Sequence, residues 1–340
     1  MFHDRRRTVG VRSRSSCWTA YCCPVADPAS LSVCIVTYER RDFLRRCLEA
    51  LAANLTDDVE VVVVDASESD ASQLVRAVRS SAVYVHDRSV AGWMTRARNV
   101  ALRYAQGEVI SFLDDDVVVS AAWQAAVLDA FADASVAAVA GRTRNGQPGE
   151  ETYHLPIGRL LDDGSLTEGF ASRPPAVVEV DHGIGANMSF RRSVLSRLGG
   201  FRDDYPGTAM REDTDIYLRI RRLGGRAVFS PDAVVDHLPA PHVKGRRFDT
   251  RYKLYARRNH MVLLARDGGI RSPQLRRWVG REYREVWAAP GALPKVRRLG
   301  VTTMGVAWGA AAMTRQARWS PSPPERTDEA GRALRSALSA

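Results

Sequence analysis

Short apolar runs alternate with amphipathic stretches along the first 140 residues of the chain. The runs LSVCIVTY (31–38), VEVVVVDAS (59–67), AVYVHD (82–87) and EVISFL (108–113) are rich in β-branched residues, which predicts buried strands. Helical periodicity marks the stretches between them, at residues 41–54, 70–80 and 94–106. Strands that alternate with helices in this way predict βαβ units, and therefore a parallel sheet with helices packed on its faces.

The alternation continues beyond residue 116. The pattern predicts a helix at 120–132, a strand at 136–141, a loop-rich stretch at 142–180, helices at 193–198 and 213–223, and a strand at 226–238. A loop rich in Gly, Pro and Asp, at 199–211, precedes the helix at 213–223. We therefore expect one α/β domain over residues 30–245.

The two ends of the chain have a different character. Residues 1–29 contain arginines but no apolar run behind them, so they predict a poorly ordered arm and not a signal peptide. Residues 246–318 predict a helical extension, with an amphipathic helix at 275–287 and 16 uncharged residues at 299–314. That uncharged run is shorter than the roughly 20 residues that span a bilayer. Residues 319–340 are interpreted as a tail.

Charge divides the chain into an acidic body and a basic extension. The formal net charge is +10, but residues 241–320 carry 18 Lys and Arg against 4 Asp and Glu. Residues 31–240 carry 23 against 30. A basic segment favours anionic partners such as acidic lipid, a phosphorylated carrier or nucleic acid, and it is also compatible with an ordinary solvated face.

We expect no nucleic-acid partner, because no nucleic-acid-binding motif is present. An anionic membrane surface remains one of two alternatives for the amphipathic helix, which could equally cover the domain core.

The cysteines indicate a reducing environment. There are five, an odd number, and they form no pair of CxxC motifs, which excludes a disulfide framework and a structural zinc site. Cys34 and Cys47 fall on apolar positions and are expected to be core thiols. The predicted location is therefore cytoplasmic, with a peripheral position at the inner face of the plasma membrane as a possible refinement.

Polar and acidic residues follow the predicted strands where each one ends. They are Thr37-Tyr38, Asp65, His86-Asp87 and the run Asp114-Asp115-Asp116. Ligands of open parallel sheets bind beyond the carboxyl ends of the strands, so these residues predict a binding site at one sheet edge. Three consecutive carboxylates repel one another unless a divalent cation neutralises them.

Three chemistries could use this acidic edge. A dinucleotide site is disfavoured, because the turn after the first strand, TYERRDF, lacks the glycines that let a pyrophosphate approach. A metal-dependent phosphohydrolase could use Asp114 and Asp116 as nucleophile and acid, and this alternative stays open. The third possibility is a metal site for a nucleoside diphosphate, in which the cation also neutralises the leaving group. A helix N-cap would need only one of the three aspartates.

Five sequence blocks together resemble family 2 glycosyltransferases of the GT-A fold. They are IVTYERRDFLRRCLEAL, VVVVDAS, GWMTRARNVALRYAQGEVISFLDDDV, GANMSFRRSVLSRLGGF and REDTDIYLRIRRLGGRAVFSPDAVVDH, in family order over about residues 31–238. The resemblance implies a Rossmann-like, mostly parallel sheet flanked by helices. It also implies inverting transfer from a nucleotide-diphosphate sugar to an acceptor hydroxyl, with Mn²⁺ or Mg²⁺.

The resemblance also implies roles for individual residues on the donor side. Asp116 would ligate the metal directly, with Asp114 and His237 completing the site. The remaining donor-site residues implied by the family blocks are Thr37, Tyr38, Glu39, Asp65, Arg96, Asp114, Asp115 and Asn187. The second strand ends in Asp-Ala-Ser where the family usually has Asp-Asp-Gly-Ser, which weakens the expected contacts to the base.

On the acceptor side, the block REDTD implies that Asp213 is the general base and that Glu212 orients it or touches the acceptor. A base is needed to take the proton of the acceptor hydroxyl as the new bond forms. The two acids also suit a helix N-terminus, where the macrodipole favours negative charge. We expect an acceptor in cell-surface glycan, glycolipid or secondary-metabolite synthesis.

Overall fold

The computed structural model describes residues 30–145, 151–207, 209–240, 249–314 and 321–339. The arm predicted at 1–29 lies outside the described residues, as do Cys17, Cys22 and Cys23. The described part is an α/β domain, in which helices flank one sheet, followed by a helical C-terminal region, as the sequence predicts.

The first half of the domain consists of the predicted βαβ units. Its elements are β1 (Leu31–Thr37), α1 (Arg41–Asn54), β2 (Glu60–Asp65), α2 (Ser72–Val78), β3 (Val83–His86), α3 (Met94–Ala101) and β4 (Val109–Asp114). All strand pairs here are parallel, in the order β3-β2-β1-β4. This half of the sheet follows directly from the alternation of apolar runs and amphipathic stretches.

The second half of the sheet is mixed. Its elements are β5 (Val117–Val119), α4 (Trp123–Phe131), β6 (Val136–Asn145), β7 (Val178–Glu179), β8 (Asn187–Arg191), α5 (Arg192–Leu198), α6 (Glu212–Arg222) and β9 (Arg226–His237). The strand order continues β4-β8-β6-β9-β5, and β8 is antiparallel to both of its neighbours. A five-residue strand reached through a long loop leaves little periodic signal, so its insertion could not be read from the sequence.

The sheet carries an apolar layer on each face. Cys34, Val62 and Phe112 belong to one cluster, and Val33, Val63 and Leu113 belong to the other. Neighbouring residues fall in different clusters because strand side chains alternate between the two faces. Cys34 and Cys47 are buried free thiols, which confirms their prediction as core residues.

Three helices follow the sheet: α7 (Thr250–Gly268), α8 (Pro273–Trp287) and α9 (Ala292–Thr314). They share a small core of their own, which includes Met261, Leu264, Leu275 and Trp278. The uncharged run at 299–314 forms most of α9. Among the described residues, no helix combines the length and the apolar character needed to cross a bilayer.

The segment interpreted as a tail packs into the domain over its described part, residues 321–339. Its helix α10 (Glu329–Ser339) lies on α5, and Leu334 and Leu338 join the main core. The buried guanidinium of Arg219 donates to the carbonyl oxygen of Pro324 at 2.6 Å. Because α10 is one short helix behind a proline-rich stretch, its docking depends on these tertiary contacts and not on local pattern.

Candidate active site

Strand register brings the predicted polar strand ends together. In the ladder, Thr37 is the partner of Asp65, Asp65 is the partner of His86, and Val36 is the partner of Asp114. These residues therefore line one edge of the parallel half, as the ligand-binding rule for open sheets predicts.

The antiparallel half brings His237 to the same edge. β5 pairs with β9 so that Val117 faces His237, and the backbone N–H of Leu238 donates to the carbonyl oxygen of Asp116 at 2.8 Å. His237 Nε2 lies 3.1 Å from Asp116 Oδ1. One ligand atom from each of Asp114, Asp116 and His237 lies within 4.8 Å of the others, an arrangement that could hold a metal ion.

Arg40 neutralises part of the acidic run. Its guanidinium forms an ion pair with Asp115 and a 2.7 Å ion pair with Asp116. Asp115 is fully buried and also accepts a 2.6 Å hydrogen bond from the Thr37 hydroxyl. Asp115 therefore anchors the end of β1 to the end of β4 and faces away from solvent.

The neighbouring carboxylates differ in acidity because their surroundings differ. Burial raises the pKa of Asp115 to about 7, against the opposing effects of Arg40 and the Thr37 hydrogen bond. Burial also acts to raise the pKa of Asp116, but the hydrogen bond and charge of His237, together with Arg40, lower that pKa. Asp116 is thus the carboxylate kept ionised beside the histidine.

A buried arginine joins this acidic run to the start of α6. Arg98 is almost inaccessible, lies 3.3 Å from an oxygen of Asp114, and forms a close ion pair with Glu212. Burial raises the pKa of Glu212 to about 7, even though Arg98 opposes the shift. The second carboxylate oxygen of Glu212 is buried and has no hydrogen-bond partner among the described residues.

Asp213 is held by the backbone of a glycine-rich loop. Its carboxylate accepts hydrogen bonds from the N–H of Gly185 at 3.2 Å and from the N–H of Thr214 at 2.7 Å. A Cβ atom added to Gly185 would lie 3.0 Å from the Arg98 guanidinium, so a larger residue here would crowd this buried cation. The non-glycine residues Ala209 and Arg211 have positive φ angles just before Glu212, which marks a constrained entry to α6.

A cavity of about 240 Å³ opens beside the end of β1. Its lining includes Thr37, Glu39, Asp65 and Ser67. Asp65 is buried and accepts from the Ser67 N–H and the Tyr84 hydroxyl, while Glu39 accepts from the Glu68 N–H at 2.6 Å. Tyr38 is half-buried, packs on the core and lines an adjoining cavity. These four predicted donor-site residues therefore lie close together.

Two residues predicted for the donor site have other partners. Arg96 stacks on the Trp93 ring at 4.1 Å and lies 3.8 Å from Asp203, with its side chain 44% exposed. Asn187 is buried and bonds the Trp123 indole and the carbonyl oxygens of Arg142 and Ala233. The amide of Asn187 is thus occupied between strands. On α3 it is Arg98, two residues after Arg96, that is buried and reaches the acidic run at Asp114.

Sequence reasoning missed Arg40 and Arg98. A signal for Arg98 existed: on α3 it shares a helical face with the buried residues Thr95 and Ala101. A charged residue on the core-facing side of a helix needs a buried partner, which here consists of two carboxylates. Arg40 carried no such signal, because it lies in the turn between β1 and α1.

Comparison with known proteins identifies the family. The profile described as "Glycosyl transferase family 2" matches residues 32–199. The succinoglycan biosynthesis protein ExoM of Rhizobium meliloti (strain 1021) is 31% identical over 221 residues, which is 62% of this chain and 67% of that protein. The chain belongs to glycosyltransferase family 2. It is a glycosyltransferase of glycan biosynthesis, and the phosphohydrolase alternative is not favoured.

A second relative is the glucosyl-dolichyl phosphate glucuronosyltransferase of Haloferax volcanii. It is 23% identical over 223 residues, covering 61% of this chain and 68% of that protein. Its name describes a glycosyl transfer, and that of ExoM describes the biosynthesis of a glycan.

Solved structures confirm the GT-A architecture. The mannosyltransferase PcManGT of Pyrobaculum calidifontis, in complex with GDP-Man and Mn²⁺, has a TM-score of 0.53 at 22% identity and covers 92% of this chain and 86% of its own. GalNAc-T7 with UDP, GalNAc and Mn²⁺ has a TM-score of 0.59 at 16% identity, over 89% of this chain and 60% of its own. At these identities the likeness concerns the fold alone.

Proposed function

We propose that this enzyme transfers a sugar from a nucleotide-diphosphate sugar to an acceptor hydroxyl with inversion, and that the transfer depends on a divalent cation. The observation that carries the proposal is the Arg98 guanidinium, which contacts Asp114 of the acidic run and Glu212 beside Asp213. This contact joins a site suited to a metal-bound diphosphate with a site suited to a general base.

The residues at the sheet edge fit a cation of the Mn²⁺ or Mg²⁺ type. Two carboxylates and one imidazole, from Asp114, Asp116 and His237, offer ligand atoms within 4.8 Å of one another. Oxygen ligands suit both ions, and the imidazole nitrogen favours Mn²⁺. When bound, such a cation would neutralise negative charge on the diphosphate of the donor.

The chain's own side chains would orient the donor. Thr37, Tyr38, Glu39 and Asp65 line the cavities next to β1, where we propose that the nucleoside binds. The guanidinium groups of Arg40 and Arg98 would keep the three aspartates from repelling each other and the diphosphate. Asp115, which is buried behind them, would support the end of β1 and would not touch the sugar.

Asp213 is the proposed base. Two backbone N–H groups hold its carboxylate. It would take the proton of the acceptor hydroxyl while that oxygen bonds to the anomeric carbon, and the nucleoside diphosphate would leave from the opposite face. One bond forms and one breaks on opposite sides of the same carbon, so the configuration inverts. Glu212 would orient this region through its contact with Arg98.

The names of two relatives support a proposal for the class of acceptor. One is named for succinoglycan biosynthesis and the other for a dolichyl-phosphate-linked sugar. We propose that the acceptor here is a sugar hydroxyl of a growing glycan carried on a lipid. The buried thiols Cys34 and Cys47 are compatible with the cytoplasmic location predicted from the cysteine pattern.

The decisive experiment is thermal unfolding of the full chain with UDP, GDP or dTDP, each with and without Mn²⁺. Stabilisation by one nucleotide, only with metal, would identify the donor base, and Asp116→Asn should abolish it. Donor consumption with that nucleotide sugar would then be measured by release of the free diphosphate. Two results together would refute the proposal. The enzyme would hydrolyse a generic phosphomonoester, with this activity lost in Asp114→Asn, and no nucleotide would stabilise the protein.

A further inference from the structure

The solvent face of α9 is unusually apolar. Twelve large hydrophobic residues are exposed in the described part of the chain, and six of them lie between residues 287 and 308. Leu293 is 81% exposed, Val296 67% and Met304 63%. Such clustering differs from the scattered single hydrophobic residues of ordinary surfaces and indicates an interaction surface.

Helical geometry gathers these residues into one stripe. At about 100° per residue, Leu293 and Met304 fall on the same line of α9, and Val296 and Trp308 lie within about 80° of it. The opposite side of α9 carries Gly305 and Gly309, which press against Arg257 and Met261 of α7. Because this side of α9 packs closely on α7, the apolar side of α9 faces solvent. We call Leu293, Val296, Met304 and Trp308 the α9 stripe.

Positive charge accompanies the α9 stripe in the first two turns of the helix. Lys295, Arg297 and Arg298 are the charged residues between 287 and 314, and no acidic residue occurs there. At about 100° per residue, Arg297 falls beside Leu293, whereas Arg298 and Lys295 lie on other sides of α9. The helix before it ends with Arg284 and the 67% exposed Trp287. Exposed apolar side chains mixed with basic ones match the boundary of an anionic bilayer, where both the acyl chains and the headgroups find partners.

We propose that the α9 stripe and its basic residues dock the enzyme on an anionic lipid bilayer, with α9 lying in the interface. A spanning arrangement is not available to the described helices.

The docked surface connects to the candidate active site. The Trp308 ring contacts the Tyr255 ring at a centroid distance of 4.9 Å, and Tyr255 covers Gly207. Gly207 belongs to the loop that leads into Glu212 and Asp213 at the start of α6. The end of the α9 stripe thus lies one residue layer from the loop before the proposed base, which would bring an acceptor at the lipid surface toward the cleft.

Vesicle co-sedimentation of the full chain tests this proposal. Binding is expected to vesicles of phosphatidylcholine containing about one third phosphatidylglycerol, and much less to pure phosphatidylcholine or at high salt. The triple variant Leu293→Ser/Val296→Ser/Met304→Ser should lose binding at least tenfold. The matched control Tyr104→Ser/Leu161→Ser/Val177→Ser changes exposed apolar residues elsewhere and should bind like the wild type.

Charge is tested separately. Lys295→Gln/Arg297→Gln/Arg298→Gln should weaken partitioning about fivefold per cation, which corresponds to about 1 kcal/mol each. Arg45→Gln/Arg46→Gln/Arg103→Gln removes three exposed cations from other surfaces and should have little effect. Equal binding to neutral and anionic vesicles, or wild-type binding by the stripe variant, would overturn the proposal. So would a dimer in light scattering that the stripe variant abolishes, because a second copy would then cover the stripe.

Discussion

Arg98 forms a buried ion pair with Glu212, and the same guanidinium reaches Asp114 at 3.3 Å. The arginine comes from α3, one carboxylate ends β4 and the other begins α6. A single cation thus fixes the distance between the acidic run and the acidic pair. Because all three groups are largely screened from water, each depends on the others for neutralisation.

Replacing Arg98 should damage both stability and activity. Arg98→Ala leaves Glu212 as an uncompensated buried carboxyl, which should cost about 3–5 kcal/mol of unfolding free energy. Arg96→Ala serves as the control, because an exposed side chain should change stability by no more than about 0.5 kcal/mol. Urea denaturation and donor turnover would measure both effects. A larger loss of turnover in Arg96→Ala would restore the role that the family resemblance implies for Arg96.

Asp213→Asn should remove the base and leave the donor site intact. We expect kcat to fall by about 10²–10⁴, the usual contribution of general base catalysis. Metal-dependent thermal stabilisation by the nucleotide should persist, because Asp213 is held by Gly185 and Thr214 and not by the acidic run. Asp215→Asn provides a comparison on the same helix. Turnover close to that of the wild type in Asp213→Asn would rule out this base.

His237→Ala should weaken the metal site selectively. Losing one of three protein ligands should raise the Mn²⁺ concentration that is needed for stabilisation by the nucleotide. We expect an increase of about ten- to a hundredfold. Chelation with EDTA should abolish turnover of the wild type. His86→Ala is the matched control, because His86 lies at the same sheet edge but contacts the Ser67 carbonyl oxygen. An unchanged Mn²⁺ requirement in His237→Ala would exclude it as a ligand.

The raised pKa of Glu212 predicts that the free energy of unfolding depends on pH in a specific way. Its pKa is raised by burial from 4.5 to about 7 in the folded protein. The folded state therefore binds more protons than the unfolded state between these values, so this group stabilises the fold at low pH. That contribution is lost as pH rises from about 4.5 to 7, with a slope of up to about 1.4 kcal/mol per pH unit.

Urea denaturation of wild type and Glu212→Gln across this range would measure the effect. The variant should lose the decline that Glu212 causes, while the contribution of the buried Asp115 remains in both proteins. Parallel stability curves would show that Glu212 has an ordinary pKa.

Asn259 should position the loop before the base. It is fully buried, and its amide donates to the carbonyl oxygens of Pro206 and Met210 at 3.1 Å each. Asn259→Leu leaves both carbonyls without this donor, which should cost about 1–3 kcal/mol and lower kcat more than it raises KM for the donor. Asn54→Leu removes an amide donor at the end of α1 and should leave kcat unchanged. Equal kcat values in the two variants would contradict the positioning role.

Much of the fold could be predicted from the chain itself. The apolar runs at 31–38, 59–67, 82–87 and 108–113 all become strands, because buried strands and amphipathic helices impose different periods on the sequence. The same logic placed Thr37, Asp65 and Asp114 at one edge, since parallel strands present their carboxyl ends together. The family assignment, confirmed by comparison, followed from five blocks in order.

Only the tertiary structure decided which charged groups meet. Arg98 and Arg96 are two residues apart on one helix, yet one is buried between carboxylates and the other stacks on Trp93. His237 reaches Asp116 because β9 pairs with β5, a contact between segments about 120 residues apart. Sequence pattern reports the local period and the order of elements. Strand pairing and side-chain packing between distant segments depend on the whole fold, and they determined how the acidic residues are neutralised.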